Sequence, residues 1–160
     1  MMSRTTQAAT LSLAAAMFVV APSAAQEAGS RQTRDFVQAA AQSDQFETLA
    51  ADSVLTGSRD TEVRSFAQEM IRDHGGTTGT LKAAAAKAGI EQPAPGIAGD
   101  QAMFLAALQS ARGGELDKVY ARQQVLAHRA AFGVMLVYSR SGDDPTLRKV
   151  AASEVKLIES

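Results

Sequence analysis

The feature that most constrains this chain is the period of its apolar residues. From about residue 33 onward they recur at steps of three and four, the spacing that keeps side chains on one face of an α-helix. Nowhere do they alternate with the two-residue period of a strand. Breakers cut the pattern at Gly57-Ser58-Arg59-Asp60, Gln92-Pro93-Ala94-Pro95-Gly96, Gly113-Gly114 and Ser141-Gly142-Asp143-Asp144-Pro145. Amphipathic helices joined by short turns fold back on one another. The expected fold is therefore all-α, an up-and-down four-helix bundle, with a short extra helix in the longer crossing at residues 89–100. At 160 residues the chain is one domain with enough length to bury a core.

The first 25 residues read as a secretory signal peptide. Arg4 supplies a positive start, residues 8–20 an apolar run, and Ala21-Pro22-Ser23-Ala24-Ala25 small residues at the −3 and −1 positions of a cleavage site after Ala25. That run is shorter than the ~20 residues a membrane span needs. No cysteine follows for lipid attachment, and the chain has none for disulfides or thiolate metal sites. Cleavage would take the basic count from 16 to 15 against 17 acidic residues. Such a balance carries no electrostatic footprint for nucleic acid or another polyanion. The expectation is a secreted, periplasmic protein, with a polar leader at residues 26–32 and a bundle domain at residues 33–160.

Helix one is expected over residues 33–55, with Thr33 as N-cap, Asp35 in the first turn and a buried stripe of Phe36, Ala40, Ser43, Glu47, Ala50 and Val54. Helix two opens at Asp60-Thr61-Glu62 and carries Phe66, Met70 and His74 at steps of four, with Val63, Ala67 and Ile71 on the same side. Gly75-Gly76-Thr77-Thr78-Gly79-Thr80 weakens it, each Gly costing ~1 kcal/mol relative to Ala. The strongly helical Leu81–Lys87 stretch still favours one continuous helix ending at Gly89. Those glycines serve either a hinge or the close approach of a neighbouring backbone.

A short helix over residues 101–111 presents Met103, Phe104, Ala107 and Leu108. A third long helix, residues 115–140, carries two adjoining stripes: Leu116, Val119, Tyr120, Gln123, Ala127, Ala130 and Val134, then Ala121, Val125, His128, Phe132 and Met135. Asp144 caps the last helix ahead of Pro145 at its first position, and Leu147, Val150, Ala151, Leu157 and Ile158 form its apolar face around Glu154.

Both histidines of the chain, His74 and His128, fall where an apolar stripe predicts a hydrocarbon side chain, and Glu47 does the same in helix one. With Glu154 they come from four different helices. Facing inward at one depth they would form a mixed N/O cluster, a ligand set suited to Fe, Zn, Cu or Mn. The competing reading is a buried polar pair that locks helix register. The Glu-x-x-His pair of di-iron bundles is missing, since Ile71 and Val125 stand three before the histidines. No Gly-x-Ser-x-Gly and no phosphate loop occurs. Met70, Met103 and Met135 read as core fillers, and Tyr120 as a core residue within reach of a buried carboxylate.

Phe36 with Ala39-Ala40, Glu47, the stretch Phe66-Ala67-Gln68-Glu69-Met70-Ile71-Arg72-Asp73-His74, Leu116-Asp117-Lys118-Val119-Tyr120, Val125-Leu126-Ala127-His128 and Gly142-Asp143-Asp144-Pro145-Thr146-Leu147 together resemble the DUF4142 family of secreted bacterial proteins. The resemblance implies a ferritin-like bundle and an extracytoplasmic location, often labelled outer-membrane, and no activity. The chain departs from the family pattern at Leu116, where a Phe is usual, and at Val155-Lys156, where Leu-Pro and then a His are usual. The resemblance thus implies that a site needing a fourth-helix histidine is incomplete here unless the chain continues past Ser160. Three functions follow as expectations. The first is a non-enzymatic envelope or stress protein with a buried Glu47/His74/His128 cluster. The second is a metal-binding protein or metal-dependent oxidoreductase using those three residues as ligands. The third is a module in peripheral contact with the cell envelope.

Overall fold

The computed structural model describes residues 29–159; the expected signal peptide and the first three residues of the polar leader lie outside them. Five helices follow in order: α1 (Arg31–Gly57), α2 (Thr61–Lys87), α3 (Gly99–Ser110), α4 (Gly114–Ser141) and α5 (Pro145–Glu159), with no strand among the described residues. Four of them make the bundle, in the ring order α1, α2, α5, α4. The short turn after Gly57 sets α2 antiparallel to α1. α4 is antiparallel to α1 as well, with Thr33 beside Tyr138 at one end and Gly57 against Leu116 at the other. α2 and α4 therefore run the same way, so the crossing must carry the chain back along the bundle. α3 does this beside α1, tied by Gly96 N–H to the Gln45 side chain and by Gln109 to Ser53.

The caps follow local chemistry. Asp60 accepts from the backbone N–H groups of Glu62 and Val63, and Asp144 from those of Thr146 and Leu147. α2 ends in a Schellman turn: Gly89 takes φ +70°, its N–H reaches Ala86 O, and Ile90 N–H reaches Ala85 O. Only glycine holds that conformation without strain. The expected N-cap at Thr33 moves to Ser30, whose hydroxyl accepts from Thr33 N–H. Thr33 is instead buried, its hydroxyl shared between Tyr138 and Asp143. Asp35 consequently sits past the first turn and pairs with Arg31 at 3.6 Å.

The core has two apolar halves. One holds Phe36, Val37, Ala40, Leu81, Ala84, Ala85, Ile90, Met135, Tyr138, Leu147 and Ala151. The other holds Phe46, Ala50, Ala51, Val54, Ala67, Met70, Leu108, Leu116 and Tyr120. All of these core residues lie between Phe36 and Ala151.

Several stripe residues fall elsewhere than expected. Ser43 is only half-buried and Asp44 takes the inward position. Phe66, Met103, Phe104, Val125, Val134 and Leu157 are exposed to 36% or more, because the stripes they extend are wider than the helices that cover them. Gly75, Gly76 and Gly79 lie inside an unbroken α2, and a Cβ on any of them would meet nothing within 4 Å. No backbone approaches them.

Candidate functional site

Between the two apolar halves lies a polar belt. α1 supplies Asp44 and Glu47, one turn apart on its inner face. α2 supplies His74, Thr77 and Thr78 opposite Asp44. α4 supplies Gln124 and His128 opposite Glu47, and α5 brings Glu154 near enough for its charge to act on His74. Glu47, His74 and His128 are thus brought to one level, as their shared break in the apolar pattern implies. The two rings stand 6.2 Å apart, edge toward face.

Asp44 anchors one side. It accepts from His74 Nδ1 at 2.8 Å, from the Thr77 hydroxyl at 3.0 Å and from the Thr78 hydroxyl at 2.8 Å, all three donors coming from α2. Glu47 anchors the other. It is 1% exposed, accepts from the Gln124 amide, and stands 3.8 Å from His128 Nδ1. His128 Nδ1 donates at 2.9 Å to the carbonyl of Gln124, one turn back on its own helix.

The electrostatics follow from burial and neighbours. Burial raises the Glu47 carboxyl above its ordinary value against the opposing pull of Gln124 and the two imidazoles. Burial alone would lower His74. The hydrogen bond and charge of Asp44, with the charges of Glu47 and Glu154, outweigh it and hold the imidazole above its ordinary value. Glu154, half-buried, is raised by desolvation and by Asp44. Tyr120 is pushed far up by burial and by the Glu47 charge, and its hydroxyl is buried without a hydrogen-bond partner. It does not bond to the carboxylate.

Two features bear on metal binding. Each imidazole has its Nδ1–H held by an oxygen, Asp44 for His74 and the Gln124 carbonyl for His128. That arrangement leaves Nε2 as the free nitrogen and is the outer-shell pattern of metal-ligating histidines. Against this, no three His, Asp or Glu side chains among the described residues stand as a shell that could hold an ion. Glu47 approaches His128 on its Nδ1 edge, away from Nε2. The donor chemistry suits a transition ion, and the shell is not assembled.

Sequence reasoning passed over Asp44 and Gln124. A positional signal existed for the first. Across a tight antiparallel turn, residues equally distant from its centre share a level, and fifteen residues either side of Arg59 stand Asp44 and His74. Gln124 gives no comparable signal, because its partner lies on another helix and depends on how the long crossing returns the chain.

The model of the DUF4142 family, a domain of unknown function, matches residues 19–160. No curated protein matches the chain. Among solved structures, a DUF305 protein of Streptomyces coelicolor, named as a secreted protein, superposes with a TM-score of 0.68 at 15% identity, over 80% of this chain and 84% of that one. A DUF305 fragment from Deinococcus radiodurans gives 0.70 at 19% identity, over 81% and 89%. At such identities the likeness speaks for the helical fold alone.

Proposed function

The chain belongs to the DUF4142 family, and from that premise and the belt we propose that it is a secreted, non-catalytic helical-bundle protein of the cell envelope. In this reading its buried Asp44 and Glu47, with the half-buried His74 and His128, hold the helices in register. The observation that carries this is Asp44, whose two oxygens take three donors from a single facing helix. A carboxylate so occupied fixes how α1 lies on α2 and has little capacity left for a substrate. Export is supported by Arg4, the apolar run and the small residues before Gln26. Among the described residues no helix is long and apolar enough to cross a membrane.

A second reading, binding of one first-row transition ion (Fe, Zn, Cu or Mn), is favoured by the two imidazoles with engaged Nδ1 and unbonded Nε2, and by the orphaned Tyr120 hydroxyl near Glu47. Elemental analysis of the untagged protein beside His74→Ala separates the two. The register reading expects no stoichiometric metal and a variant weakened by about 1–3 kcal/mol, the cost of orphaning buried partners. Near-stoichiometric metal that disappears in the variant, with folding kept, would replace that reading with the second.

A further inference from the structure

We propose that the outer spine of α4 docks this protein onto an anionic phospholipid bilayer. After Asp117, α4 holds no acidic residue, and its four cations Lys118, Arg122, Arg129 and Arg140 are all exposed. At 100° per residue these four fall within about 40° of one another, on the side directly opposite the buried Tyr120, Gln123 and Tyr138. They form a single line about 33 Å long. None makes an ion pair with another described residue; Asp35 of α1, which borders the same surface hollow as Arg129, is paired with Arg31. Beside the line stand Val125, Leu126 and Val137, exposed to 51%, 50% and 63%.

The mixture selects the occupant. Arginine and lysine stems can lie along an apolar boundary while their heads reach phosphates, and the valines and leucine between them then leave water. A duplex nucleic acid would use the cations and leave those apolar side chains uncovered, and the one aromatic on that flank of α4, Phe132, is half-buried and gives single-stranded bases no row to stack on. A second copy meeting the same face would set cation against cation along the whole line, which opposes association. A bilayer carrying phosphatidylglycerol satisfies both halves of the surface at once.

The proposal deepens the envelope reading and rests on it only for which bilayer the protein meets. The test uses the chain from Gln26 onward, the mature form in the envelope reading, because the N-terminal apolar run would bind lipid by itself. Co-sedimentation with vesicles of phosphatidylglycerol and phosphatidylcholine in equal parts is compared with pure phosphatidylcholine, at low and physiological salt. Binding is expected only to the anionic vesicles and is expected to fall with salt. Arg122→Gln with Arg129→Gln should weaken it roughly 25-fold, about fivefold per charge. Val125→Ser with Val137→Ser should weaken it without changing the salt slope. Arg72→Gln with Lys82→Gln, exposed on α2, should leave it unchanged, and helical circular dichroism on heating confirms that each variant is folded. Four results would overturn the proposal: no binding at low salt, equal binding to both vesicle types, equal loss in the α2 variant, or a dimer in solution that buries the spine. Cytoplasmic retention of the protein in cells, with vesicle binding intact, would overturn the secretion reading instead.

Discussion

The two apolar halves of the bundle are built from the same three long helices and differ in what closes them. α5 packs onto α4 and α2 and seals the first half with Leu147 and Ala151, both fully buried. Phe36 stacks on Tyr138 there at 3.8 Å, and Thr33, Tyr138 and Asp143 tie the start of α1 to the end of α4. The second half is covered on its α1–α4 side by α3, which commits only Leu108 fully and leaves Met103 68% exposed. α5, at 15 residues, runs about 22 Å, roughly half the length of the helices it joins. The polar belt sits where that cover gives out. In the proposed reading, a carboxylate–imidazole network at this level keeps α1, α2 and α4 aligned through the part of the bundle that has the least apolar cover.

The largest expected effect tests whether the second half is a true core despite that cover. Phe46 is completely buried and touches Phe104 of α3. Phe46→Ala should cost about 3–5 kcal/mol, as a buried aromatic does, whereas Phe104→Ala, at the surface, should cost far less. Denaturant unfolding measures both. Equal small losses would mean that the second half contributes little to global stability and that the comparison is mistaken.

Next in size is the belt. Asp44→Ala removes the acceptor of three α2 donors and should cost about 1–3 kcal/mol. Hydrogen exchange should show lost protection concentrated in the middle of α2, with the α5-sealed half retained. Uniform loss along the chain would argue against a register role.

The belt also predicts a direction with pH for the metal-free protein. Glu47 and Glu154 titrate above the ordinary 4.5 of a glutamate, and His74 above the ordinary 6.5 of a histidine. The folded chain therefore holds more protons than the unfolded one across this range, so stability falls as pH rises. The contribution of His74 is fully present below 6.5 and is lost as pH climbs through its raised folded value. The penalty for ionising Glu47 is absent below 4.5 and complete above its own folded value. Thermal midpoints should be higher near pH 5 than near pH 8. Glu47→Gln should flatten the profile and leave the protein no less stable at the upper end. An unchanged slope in that variant would remove Glu47 from the explanation.

The fold was legible because its determinants are local. Asp60 and Asp144 announce two helix starts, the breakers fall between helices, and period alone excludes strands. Glu47, His74 and His128 were legible as polar interruptions of apolar stripes. Asp44 was not, because the residue beside it, Ser43, fits the three-and-four spacing while the register of α1 against α2 decides which of them faces inward. Nor does spacing reveal how much of a stripe is covered. Phe66 and Val125 match the pattern and lie outside because α5 is short and α4 turns that flank to solvent. Net charge hid the α4 spine for a related reason. An average near zero over the chain says nothing about four cations falling in one line.

The smallest effect concerns the middle of α2, where the belt's donors Thr77 and Thr78 sit among Gly75, Gly76 and Gly79. A helix interior pays for each glycine in backbone entropy, about 0.5–1 kcal/mol relative to alanine. Such glycines persist in a tightly packed helix when a neighbour leaves no room for a methyl group, and here a Cβ at each position would meet open space. Packing therefore does not demand them, and Gly76→Ala should stabilise the bundle by about 0.5–1 kcal/mol, a small rise in thermal midpoint. The same substitution should slow exchange of the α2 amides around His74 more than those near Ala84, where the α5-sealed half already protects the helix. Equal slowing at both places would mean that the two halves open together, and the belt would then be the middle of one cooperative unit with no seam.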